Sequence, residues 1–96
     1  GYRVLHRYPI GGDQGWDYLA VDAAARRVYV SHGDEVVVLD ADDGKPVGRI
    51  GQLDGVHGIA LAPAMHRGWI SNGRSGKLTV FYTRTLKTTA TLQARG

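Results

Sequence analysis

The sequence predicts an all-β fold of propeller blades, each a four-stranded antiparallel sheet, and three observations point there. Residues 15–33 (GWDYLAVDAAARRVYVSHG) recur 40 positions later at 55–73 (GVHGIALAPAMHRGWISNG). Short β-branched and aromatic runs alternate with Gly- and Asp-rich turns throughout, and the interval between copies is that of a propeller blade or a solenoid repeat. Within the copies Gly15/Gly55, Ala20/Ala60, Ala24/Ala64, Arg27/Arg67, Ser31/Ser71 and Gly33/Gly73 are identical. Tyr29/Trp69 and Val30/Ile70 are conservative. A β-sandwich also fits short strands with such turns, but sandwich strands do not usually repeat in sets of four.

Residues 16–22 (WDYLAVD) read as the first strand, apolar on both faces and therefore suited to burial between layers. The AAAR run at 23–26 turns the chain into a second strand at 27–31, which ends at His32-Gly33. Residues 35–40 (EVVVLD) make a third strand, and Ala41-Asp42-Asp43-Gly44 is a turn whose Asp-Gly supplies a side-chain cap and a positive φ. The fourth strand, 45–52, holds Pro46 and Gly48, residues better tolerated at a sheet edge than at its centre.

In the second copy Arg74-Ser75-Gly76 stands where the first has only Asp34, and the offset becomes 42. Val36 then aligns with Leu78, Val38 with Val80, Leu39 with Phe81 and Lys45 with Lys87. A longer hairpin loop leaves strand register intact. The predicted organisation is an outer strand of a neighbouring blade at 1–10, one blade at 11–52 and a second at 53–96, all part of one propeller domain. Two blades cannot close a ring, so the chain is expected to be a piece of a larger propeller or a unit that self-associates, because two broad apolar faces would otherwise be exposed.

Arg27-Val28-Tyr29-Val30-Ser31-His32-Gly33 and Arg67-Gly68-Trp69-Ile70-Ser71-Asn72-Gly73 resemble the signature of the YVTN family of β-propeller repeats: an aromatic, a β-branched residue, Ser or Thr, then Asn. His32 departs from it at the last position. Leu19-Ala20-Val21-Asp22, Ile59-Ala60-Leu61-Ala62-Pro63 and Val36-Val37-Val38-Leu39-Asp40 are similar to the family's first and third strands. The motif has a physical basis. The aromatic of a central strand packs between sheets, Ser and Asn or His cap the turn, and Gly33 and Gly73 give it backbone freedom. The resemblance implies a ring, often of seven blades, exported to the periplasm or cell surface.

Composition narrows the function classes. The chain carries 12 basic and 9 acidic residues among 96, with a pI near 9.5. Its arginines are spread from Arg3 to Arg95 without the short basic cluster of a nucleic-acid patch. There is no Cys, hence no thiolate metal site or disulfide. The longest apolar runs, such as Val36–Leu39, are far short of the roughly 20 residues of a helical membrane span. Gly1 opens the sequence with no basic and apolar leader, so localisation is not readable from the N-terminus.

Positions that do not repeat are where function would be written. His57 aligns with Asp17, and Trp16 with Val56, at the start of each innermost strand. His57, Asp17 and Trp16 are thus the expected ligand-binding residues, at the mouth of the central channel, for a small polar or anionic ligand. Two donors are too few for a catalytic metal, so no metal or cofactor is expected. Ser31 and Ser71 lack a nucleophile elbow, and Asp42-Asp43-Gly44 lacks the remaining ligands of a calcium loop. The leading expectation is a non-enzymatic binding or scaffold module, with self-association or the remaining blades as partners. A propeller enzyme, lactonase-like or quinone-dependent, would need residues from further blades; a nucleic-acid binder is compatible with the basic pI.

Overall fold

The structure is a computed structural model that describes residues 18–93. Within them the chain forms two four-stranded antiparallel sheets, each ordered as the strands occur in sequence. The first contains β1 (Leu19–Asp22), β2 (Arg27–His32), β3 (Glu35–Asp40) and β4 (Pro46–Ile50). The second contains β5 (Val56–Ala62), β6 (Arg67–Asn72), β7 (Lys77–Tyr82) and β8 (Thr88–Gln93), with a one-turn 3-10 helix, Pro63–Met65, between β5 and β6. The solitary strand expected at 2–10 and the start of the first strand at 16–17 lie outside the described residues.

The two sheets reproduce each other in detail. Arg26 and His66, forty positions apart, both take left-handed conformations, with φ of 58° and 55°. Each is followed across the sheet by the same backbone bond: Ala41 N donates to Arg26 O at 2.8 Å, and Thr83 N to His66 O at 2.9 Å. Bulges fall between Val38 and Leu39 in the first sheet and between Val80 and Phe81 in the second, again equivalent positions. Gly44 and Leu86 occupy the same turn position at φ 73° and 64°. Leucine in this region is costly, since its Cβ crowds the following carbonyl.

Register shows how the sheets stack. On the first sheet Ala20, Tyr29, Val38 and Gly48 lie side by side on one face, flanked by Ser31, Val36 and Ile50. On the second, Ile59 pairs with Ile70, and Leu61, Gly68 and Phe81 form the next row of the same face. Tyr29 and Phe81 are both fully buried, with ring centroids 5.9 Å apart, so these two faces meet. By alignment, however, the second-sheet equivalents of Ala20, Tyr29 and Val38 are Ala60, Trp69 and Val80, which lie on its opposite face. The sheets therefore stack front to back, with β1 and β2 against β5.

The shared core joins Ala20, Tyr29, Val36, Val38 and Ile50 to Leu53, Val56, Ile59, Leu61, Ile70 and Phe81. Each large member contributes roughly 1.5–3 kcal/mol by leaving water. Gly68 makes the fit possible. A Cβ there would lie 2.6 Å from Phe81 Cε1 and 3.0 Å from Leu61 Cδ2, so the phenyl ring occupies the place of a side chain.

Turn chemistry follows the sequence with one correction. Asp40 Oδ1 accepts from Asp42 N at 2.7 Å, Asp43 Oδ1 accepts from Lys45 N at 2.9 Å, and Gly44 supplies the positive φ. Gly33 likewise has φ 63°. Gly73 does not belong with the positive-φ glycines; in the longer second hairpin Gly76 takes that role at φ 72°. What Gly73 provides is room, because its N donates to Gly55 O at 2.7 Å and a Cβ would lie 3.1 Å from that oxygen.

Candidate functional site

One end of the sheet interface carries His57, the expected ligand residue. It sits where the pairing of β5 with β6 slips between Val56 and Gly58, and its side chain is exposed. Across the interface the ring of Tyr18 lies 5.7 Å away, tilted by 48°. Tyr18 N donates to Ser31 Oγ at 2.8 Å, so Ser31 fastens the entry to β1. Asp17 and Trp16 lie outside the described residues, so the structure does not place them beside His57. Among the described residues no three His, Asp or Glu side chains cluster closely enough to hold a metal ion.

The same end is braced by polar contacts. Asn72, the last residue of the repeat motif, donates through Nδ2 to Lys77 O and Thr79 Oγ1, both at 3.0 Å, and its Oδ1 accepts from Asp54 N at 3.0 Å. Asp54 Oδ1 in turn accepts from Ser75 N at 3.1 Å. That backbone donation holds the Asp54 carboxyl below its ordinary value of 3.8. The expected capping role of Asn72 is met, and it reaches further, into the link between the sheets.

At the other end of β1 the sheets part into a cleft of about 370 Å³. The first sheet contributes Asp22, Arg27, Tyr29 and the Ala24-Ala25 turn; the second contributes Pro63, His66, Thr83 and Arg84. Asp22 is buried, its Oδ1 accepting from Ala25 N at 3.1 Å, which shapes the turn. Arg27 spans the gap, Nη1 donating to Thr83 O at 3.0 Å. Arg84 Nη2 lies 3.1 Å from His66 Nε2. A guanidinium only donates, so in this contact the ring nitrogen is the acceptor. The Tyr29 hydroxyl is buried and has no hydrogen-bond partner among the described residues. Burial raises its pKa above 10.0, a shift that Arg27 partly offsets through its charge and its approach as a donor to the hydroxyl oxygen. The hydroxyl thus stays protonated at neutral pH.

Sequence reasoning missed this cleft. Its walls come from residues far apart in sequence, such as Arg27 and Thr83, 56 positions from each other. The one signal present was again non-repetition: Asp22 faces Ala62, Arg26 faces His66 and Asp42 faces Arg84 in the alignment.

No helix among the described residues is long and apolar enough to cross a membrane. No protein-family model matches the chain, and no curated protein matches it in sequence. The chain is an all-β unit of two stacked, repeated sheets with a polar cleft between them.

Proposed function

We propose that the chain is a non-enzymatic binding or scaffold module made of two YVTN-like propeller blades, completed by further blades of a longer protein or by other copies of itself. The observation that carries this reading is the front-to-back stacking. In a sandwich the inner faces of two sheets oppose each other. Here the front of one sheet lies against the back of the next, so the same interface is offered again at each end. Such heterologous contacts close into rings or run on as filaments.

The row Ala60, Trp69, Val80 and Ala90 supports this further. It is the counterpart of the row that the second sheet covers on the first, and no third sheet among the described residues lies against it. An exported location belongs to this proposal through the family resemblance alone.

Solution mass tests it. Sedimentation velocity that finds three or four copies, each bringing two sheets, would support a ring of six or eight blades. A concentration-independent monomer, unchanged in stability in Trp69→Asp, would sink the self-associating form of the proposal and leave completion by further blades of a longer protein.

A further inference from the structure

The two sheets differ at one matched pair of contacting side chains, and the second-sheet members of it, His66 and Arg84, line the cleft. In the first sheet Arg26 is paired with Asp42, its Nε donating to both carboxylate oxygens at 2.8 and 2.9 Å and its Nη2 donating to Oδ1 as well. The counterparts in the second sheet are His66 and Arg84, related by the same backbone bond across the turn. There the acid is missing. An arginine instead lies against an imidazole, and neither Arg84 nor Arg27 forms an ion pair among the described residues.

We propose that the cleft binds a small organic carboxylate, whose carboxyl group takes beside Arg84 and His66 the place that Asp42 takes beside Arg26. Four features of the site fit that class. Arg84 presents a planar fork of donors that matches a carboxylate in two-point geometry. Asp22 accepts from Ala25 N and Arg27 reaches across the gap to Thr83 O, whereas Arg84 is exposed with the His66 ring against it, so its fork is the one placed to meet an entering anion. The Tyr29 hydroxyl is a buried donor in the lining with no acceptor, a condition native proteins rarely leave unexplained. Ala24, Ala25 and Pro63 give the ligand body an apolar wall.

The volume sets a limit. About 370 Å³ is at the small end of ligand pockets, which run from roughly 300 to 1,000 Å³. A single-ring or short-chain acid fits; a dinucleotide does not. The site is built by the two sheets of this chain and needs no third, so it stands or falls separately from the ring.

Titration of the 96-residue chain with benzoate, followed by amide and tyrosine ring NMR, tests the inference. Benzamide serves as the uncharged isostere and inorganic phosphate as the anion without an apolar body. The expected result is saturable shifts at Ala25, Thr83 and the Tyr29 ring, with a Kd on the order of 1 mM, and none with benzamide. Arg84→Asp, which restores the charge pattern of the first sheet, should keep the dispersed spectrum and weaken benzoate roughly tenfold or more. Tyr29→Phe should stay folded and bind more weakly. Benzoate shifts that do not saturate, or that are unchanged in a folded Arg84→Asp variant, would overturn the site. Phosphate binding as well as benzoate would overturn the ligand class.

Discussion

The first sheet has its front covered by the second, whereas no sheet among the described residues lies on the equivalent front of the second, although both are written in the same repeat. Tyr29 is fully buried against Phe81. Trp69, its counterpart, is half-buried. The repeat thus specifies a surface that needs a neighbour, and among the described residues one sheet supplies it for the first copy. What differs between the sheets is then informative about what covers them and what lies between them.

The largest test of that contrast is truncation of the covered ring. Phe81→Ala should cost about 3–5 kcal/mol in chemical denaturation, because it empties a close-packed site. Trp69→Ala in monomeric chain should cost well under half as much; an equal loss would mean that the second front is covered after all.

Gly68→Ala is next, at about 1–3 kcal/mol, since the added methyl meets Phe81 and Leu61 on the covered side. The same position in the first sheet is Val28, half-buried on that sheet's other face. Combining Gly68→Ala with Phe81→Leu, the second change copying Leu39 of the first sheet, should recover part of the loss.

Smaller and opposite in sign is Tyr29→Phe, expected to stabilise the unliganded chain by up to about 1 kcal/mol by removing a buried hydroxyl without a partner. It has a pH signature. Because burial raises its pKa in the fold, the hydroxyl imposes no ionisation penalty below 10.0, and stability falls as pH climbs from there through the raised value. The variant should flatten that alkaline decline in a melting-temperature series.

The smallest effect belongs to Asp54, whose carboxyl is held low by Ser75 N. Its contribution is present above the ordinary value of 3.8 and lost as pH falls through the lowered one. Asp54→Asn should therefore melt like the parent in acid below both values and slightly earlier at neutral pH. An unchanged melting temperature at pH 7 would remove the link from the list of stabilising contacts.

Much of the fold was legible because it is local. Alternation in RVYVSH and EVVVLD, the Asp-Gly turn and the two-residue hairpin insertion each leave a signature in consecutive residues, and β2 and β3 begin where those patterns begin. The ends were less legible. The fourth strand stops at Ile50 because Gln52 turns left-handed and Leu53 folds inward, its N donating to Asp34 O at 2.9 Å. Nothing in the period of that strand encodes a contact to the opposite hairpin. The division of labour between Gly73 and Gly76 was hidden for the same reason, since it depends on how close Gly55 comes. Of the site, His57 and its non-repeating character were readable, whereas the cleft required knowing that Arg27 reaches Thr83.

Leu86 has a bearing on how such chains can be altered. It holds a left-handed backbone where the first sheet uses Gly44, and its Cδ1 lies over Gly48 of the first sheet, where a Cβ would be 2.6 Å away. The strained turn is thereby latched to the sheet next to it. A peptide grafted at 83–87 therefore removes a contact between the two sheets, whereas one grafted at 41–44 removes the Arg26–Asp42 pair within one hairpin.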